Sequence, residues 1–247
     1  MSGRNERDAE ESPASEGVAT RTESIAKKGS APLVPVTARG EATRRRLLDA
    51  AEEVFGEMGY YEASVSEITR RAGVAQGTFY LYFHSKRETF VELIEDIGHR
   101  LRAATSAAIQ GVTDRVEAER LGFAAFFKFV YAHRRIYRIV EEAGRVAPEA
   151  AREYYRRISV GYERGLGTAM EAGQIREGEV EALSYALMGI GHFLALRWLI
   201  WPNEEDAEQA GIDGASGAPS APGMPPAIFD SVMEFISRGL AADRDGR

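Results

Sequence analysis

Two serines, each followed three residues later by a glutamate, bracket the most constraining stretch of this chain: Ser64 with Glu67, and Ser85 with Glu88, in SVSEITRRAGVAQGTFYLYFHSKRE. A serine that accepts from the backbone while a glutamate reaches back is a capping box, so each pair predicts a helix start. Between them, Val65, Ile68 and Ala72 give a short helix one apolar face. Gly73 supplies the freedom a tight interhelix turn needs, and Val74 plugs the corner. A second short helix follows from Gln76 to Phe83, and a long one opens after Ser85. Two short helices joined by a glycine-containing turn follow the helix-turn-helix plan. Phe79 and Phe83 are four residues apart, so they share the core side of the second helix.

The rest of the chain reads as helix with little interruption. Leu47, Ala51, Val54, Phe55 and Met58 recur at helical spacing, and Gly59 stands where a C-cap glycine belongs. Further helices are predicted over 86–110, 118–142, 148–172, 179–201 and 225–241, and no stretch alternates as a strand does. The fold class is therefore all-α. Residues 1–40 are rich in Ser, Ala, Gly, Glu and Arg and are predicted to be a disordered N-terminal extension. Residues 203–223 have the Gly, Pro and Ser content of a flexible loop.

A net charge of -7 excludes a uniformly basic nucleic-acid binder but not a small DNA-reading patch. The absence of cysteine excludes disulfides and thiolate metal sites. His84, His99, His133 and His192 are scattered without ligand spacing, and no nucleophile elbow, P-loop or glycine-rich nucleotide fingerprint occurs. No metal, cofactor or catalytic residue is expected, and the chain does not read as an enzyme. Met1 to Gly40 lacks an apolar stretch of signal-peptide length. Leu183 to Trp201 is nearly all apolar, which fits a membrane span or a buried helix. Its neighbours read as amphipathic helices, so the buried reading, no membrane partner and a cytoplasmic location are expected.

The second short helix presents Gln76, Gly77 and Thr78 at its N-terminal end, where a recognition helix meets base edges. Gln pairs with adenine through its amide, and Thr donates, accepts or touches the thymine methyl. Tyr80, Tyr82 and Lys86 offer a hydroxyl or an ammonium to phosphate. From Thr43 to Val91 the chain resembles the N-terminal domain of the TetR family. The resemblance rests on Gly59-Tyr60, Ser64, Ile68, Ala72-Gly73-Val74, Gly77-Thr78-Phe79-Tyr80, Phe83 and Lys86. Ala75 departs from the pattern, replacing a hydroxyl that often caps the recognition helix. The resemblance implies a helix-turn-helix DNA-binding domain over 41–88 that binds double-stranded operator DNA. It implies that Ser66, Gln76, Gly77 and Thr78 lie near bases, and that Tyr80, Tyr82, Lys86, Thr43 and Arg44 lie near phosphates.

It also implies an effector-binding and dimerisation domain over 89–247. Residues 121–131 are apolar nearly all round, as in a helix buried on several sides or lining a cavity. Phe123, Phe126, Phe127, Val130, Tyr137, Tyr155 and Tyr162, with His192 and Arg197 as polar anchors, are the expected pocket residues. The expected effector is small and hydrophobic, a fatty acyl-CoA or a drug-like compound. The last two helices are expected to form a homodimer, with Ile228, Val232, Phe235 and Ile236 as one apolar stripe and Gly189 and Gly191 permitting close approach. The resulting function is a transcriptional regulator, a repressor released from a pseudopalindromic operator by ligand.

Overall fold

A computed structural model describes residues 37–201 and 223–242. The N-terminal extension up to residue 36 and the loop over 203–222 lie outside the described residues. Helix α1 spans Ala38–Met58, so residues 38–40, expected to be disordered, are helical. Thr37 caps it by accepting from the Gly40 N–H at 3.1 Å. Helices α2 (Val65–Ala72) and α3 (Gln76–Tyr82) form the short pair, and α4 (Lys86–Ala108) is the long helix after them. Both serine caps are made, with Ser64 accepting from the Glu67 N–H at 3.2 Å and Ser85 from the Glu88 N–H at 3.1 Å. Gly73 takes φ +64, the left-handed conformation that stops α2 and turns the chain into α3.

Helices α5 (Arg115–Ala132), α6 (Arg134–Val146), α7 (Pro148–Glu171), α8 (Val180–Ala195) and α9 (Pro226–Leu240) complete the chain. The helix expected over 118–142 is two helices that break at His133, whose φ and ψ are -129 and 47. No proline or glycine marks this break. The His133 N–H closes α5 on Phe129 O and Val130 O, and its carbonyl starts α6 through the Ile136 N–H. Asp114 caps α5 and sets its start earlier than expected. Helix α8 continues through a wider π turn over Leu196–Ile200. Among the described residues there is no strand, only an isolated bridge between Ile175 and Ala241.

Two apolar clusters hold these helices. The first joins α1 to α4 with α6 and the start of α7 around Phe55, Phe79, Phe83, Phe90 and Ile139. Phe55 stacks near Tyr60 at 5.8 Å and meets Phe90 edge-on at 5.2 Å, so both sides of its ring are covered. Met58, expected on this face, is exposed. The second cluster joins α5, α7, α8 and α9 around Phe127, Leu166, Leu187, Phe229 and Met233. Ile236 turns into this cluster while Phe235 turns out, so the stripe expected on α9 is divided between two faces.

The long apolar segment is not buried within one chain. Val180–Ile200 is long and apolar enough, by length and composition, to cross a membrane, and only 33% of its most apolar window is buried. Tyr185 and Phe193 stand exposed on it, Trp201 just past its end, and Phe235 on α9. The contrast with the expected burial has a simple source, since a helix apolar on two sides has only one side to lay on its own bundle.

Candidate nucleic-acid interface and ligand cavity

Helix α3 is held from below. Phe79 and Phe83 are fully buried with their rings 5.5 Å apart, which fixes the helix on the first cluster. That anchoring leaves Gln76, Gly77, Tyr80 and Leu81 exposed and Thr78 and Tyr82 half-buried. No side chain caps α3, because Ala75 carries none able to accept. Ser66, at the start of α2, is exposed with its Oγ 2.9 Å from Ser64 Oγ. Arg71 ties α2 to α1 through Glu57 at 2.7 Å. Arg70 and Arg71 together hold the Glu67 carboxyl down at about 2.

The basic side chains near this surface are less available than their positions imply. Thr43 donates its hydroxyl to Arg39 O at 3.0 Å. Arg44 pairs with Glu92 of α4 and lies 5.7 Å over the Phe83 ring. Arg45 bridges Asp49 and Asp96. Arg46, which follows them in the sequence, makes no ion pair among the described residues. Lys86, expected at phosphate, has its ammonium turned inward. It donates to Tyr60 O and Ala63 O at 2.7 Å each and lies 3.4 Å from Tyr61 O. It also sits 4.4 Å from the Tyr60 ring centre, so it closes the turn between α1 and α2.

Helix α6 grips the same turn from the other side. Glu142 accepts the Tyr60 N–H at 2.7 Å, and Arg138 donates to Glu57 O at 2.9 Å. Gly56 lets α6 approach α1, because a Cβ there would collide with Arg135 Cβ. One turn around α6, Tyr137 and Val140 form part of a cavity wall.

This cavity, of about 210 Å³, lies among α4, α5, α6, α7 and α8. Of the expected residues, Phe123, Phe126, Tyr137, Tyr155, Tyr162 and His192 line it. The structure does not bring Phe127, Val130 and Arg197 there. Phe127 is fully buried against Phe229 of α9, and Val130 belongs to the same packed cluster. Arg197 is exposed, with its guanidinium 5.3 Å over the Trp198 ring. The sequence reading missed Arg102, Arg115 and Glu119, all in the wall. Glu119 had a usable signal, since it precedes Phe123 by four residues and Phe126 by seven and so shares their helical face. An open groove between α7 and α8 adjoins the cavity and shares Tyr155, Met188 and His192 with it.

The Tyr137 hydroxyl lies against His192 Nδ1 and donates to the His192 carbonyl at 3.0 Å. The tautomer with hydrogen on Nδ1 satisfies both contacts at once, with the ring donating to the phenol. Burial lowers the His192 pKa below its usual 6.5. The unfolded chain therefore takes up this proton first, and stability from neutral His192 is lost as pH falls below 6.5. Thermal melts between pH 7.5 and 5.5 are expected to show a smaller acid-side drop for His192→Asn than for the wild type. Equal drops contradict the assignment.

Comparison with known proteins sets this geometry in context. Residues 47–93 match the family model described as bacterial regulatory proteins, tetR family. The chain is 45% identical over 71 residues to the uncharacterized HTH-type transcriptional regulator YdgC of Bacillus subtilis, covering 29% of this chain and 36% of that one. It is 34% identical over 99 residues to the HTH-type transcriptional activator FasR of Mycolicibacterium smegmatis, covering 40% of this chain and 45% of that one. These matches span less than half of either relative's length. The fold is like that of FadR from Bacillus subtilis in complex with stearoyl-CoA, with a TM-score of 0.63 at 22% identity over 79% of this chain and 98% of that one. It is also like that of the fatty acid degradation regulator FadR of Bacillus halodurans, with a TM-score of 0.64 at 21% identity over 78% of this chain and 94% of that one. At such identities the likeness is one of fold.

Proposed function

Because its N-terminal domain is that of the TetR family of bacterial regulators, we propose that this chain is a sequence-specific, ligand-responsive transcriptional regulator that acts as a homodimer. One observation carries the proposal: α3 is pinned by buried Phe79 and Phe83 and turns Gln76, Gly77 and Tyr80 to solvent within the family match. Such a helix, held rigidly from below, suits insertion into the major groove. Gln76 and Thr78 read base edges, with Ser66 beside them. Tyr80, Tyr82, Thr43 and the free Arg46 meet phosphates, and Lys86 orders the turn behind them. Selecting an operator from a random duplex pool and repeating the selection with Gln76→Ala tests this assignment. The variant is expected to lose about 1–3 kcal/mol of specific binding and to relax one position of the site. An unchanged site and affinity would remove Gln76 from the readout.

The exposed apolar residues on α8 and α9 supply the dimer face. A second copy covers Phe193 and Phe235 and sets two recognition helices about 34–36 Å apart on a pseudopalindrome. The cavity takes the effector, and a fatty acyl chain is the class favoured by its Phe123, Phe126 and Leu187 walls and by the stearoyl-CoA complex of a protein of the same fold. Effector in the cavity presses on α4 and on Tyr137 and Val140 of α6. Helix α6 holds the α1–α2 turn through Glu142 and Arg138, so its displacement moves the reading head. Ligand then releases DNA to the extent that it binds the released state better. Release means derepression when the operator overlaps a promoter, and a reporter assay with and without ligand gives the sign.

A further inference from the structure

Resting on the reading of this cavity as the effector site, we infer that the effector ends in a neutral oxygen at the far end of its apolar body, bound by Arg115 and Tyr162. Arg115 and Glu119 form an ion pair within the cavity wall, with side chains only 12% and 2% exposed. A buried ion pair of this kind adds little to stability compared with apolar residues of similar volume, so it calls for another explanation. The place is built for it, since a Cβ at Gly165 of α7 would collide with the Arg115 guanidinium.

The pair is not saturated. The Arg115 Nε–H is buried and has no acceptor among the described residues. The Tyr162 hydroxyl makes no hydrogen bond among the described residues either. It lies close enough to Glu119 and Arg115 for both charges to act on it, and burial keeps the phenol protonated. Two unpartnered donors at one end of the cavity want an acceptor. A plain methyl end leaves both unpaired. A second carboxylate meets the Glu119 carboxylate. A hydroxyl, keto or ester oxygen satisfies the donors without added charge.

The other end carries a different set. Tyr154 and Arg102 line it, and Arg102 has no carboxylate partner among the described residues, so it suits an anionic head. Tyr154 and Tyr162 are eight residues apart on α7, about 12 Å along the helix axis. An extended ten-carbon chain is of that order, so the chemical class is a medium-length anionic amphiphile oxygenated at its tail.

Calorimetric titration of the full-length protein with decanoic, 10-hydroxydecanoic and decanedioic acids tests the inference. The 10-hydroxy acid is expected to bind about tenfold more tightly than decanoic acid, the gain of one hydrogen bond to a charged donor. Decanedioic acid is expected to bind more weakly than the 10-hydroxy acid. Tyr162→Phe, and separately the charge-neutral double change Arg115→Met with Glu119→Leu, are expected to remove the preference. Retaining the ion pair in the first variant and its charge balance in the second keeps both folded. Equal binding of decanoic and 10-hydroxydecanoic acids, both blocked by Gly122→Trp, overturns the inference and leaves the cavity as the effector site. A tenfold preference that survives both variants overturns the assignment to Arg115 and Tyr162. Failure of all three acids to bind the wild type overturns the cavity reading and the inference together.

Discussion

Gly122→Trp is expected to lower operator affinity toward that of the liganded protein and to erase its response to ligand. Gly122 lies in the cavity wall on α5, and a Cβ there meets only the Ile109 side chain, at 3.8 Å. The indole therefore grows into the cavity instead of into a helix contact. It fills the cavity without touching α3 or the α1–α2 turn. Effector control in proteins of this kind amounts to about 1–3 kcal/mol of coupling, and all of it should disappear. Anisotropy of an operator duplex, titrated with 10-hydroxydecanoic acid over wild type and variant, measures the loss directly. A variant that still releases DNA at the wild-type ligand concentration places the effector elsewhere. A variant with wild-type operator affinity and no ligand response shows instead that filling the cavity is not itself the signal.

The second large effect belongs to Lys86. A surface lysine at a phosphate is expected to change binding and leave stability alone, with the salt dependence falling by about one counterion. Here Lys86→Met removes the donor shared by Tyr60 O, Ala63 O and Tyr61 O and leaves those carbonyls facing an apolar side chain. Charge-assisted hydrogen bonds contribute about 1.5–3 kcal/mol, and the loss includes the stacking of the ammonium on Tyr60. We expect a cost of about 3 kcal/mol, or a fall of roughly 6–12 °C in melting temperature for a chain of this size. The slope of log affinity against log salt should change little. A stable variant with a reduced slope contradicts the inward role and restores the phosphate contact.

Local signals were legible and distant ones were not. Ser64 and Ser85 each have their partner three residues away, so spacing alone locates the starts of α2 and α4. Gly73 stands where an L side chain strains, and its positive φ follows from the turn. Phe79 and Phe83 lie on one helical face, which decides which side of α3 is left to solvent. Lys86 was misread because its acceptors are backbone groups 23 to 26 residues away, and backbone carbonyls have no sequence signature. The break at His133 was hidden for lack of proline or glycine. Residues 121–131 of α5 are apolar nearly all round, so periodicity does not separate Phe123 and Phe126, which line the cavity, from Phe127 and Val130, which belong to the second cluster. Arg115 and Glu119 look like an ordinary solvated i, i+4 pair until α7 covers them.

The most direct test of the central claim combines binding and stoichiometry in one titration. Full-length protein is added to a fluorescent duplex obtained by selection, at near-physiological salt, with a scrambled duplex as control and 10-hydroxydecanoic acid added at saturation. The account predicts selective binding by at least about 10³-fold over the scrambled duplex, two chains per site, and release on adding the acid. Equal and weak binding to both duplexes, or a single chain per site with no ligand response, would contradict it.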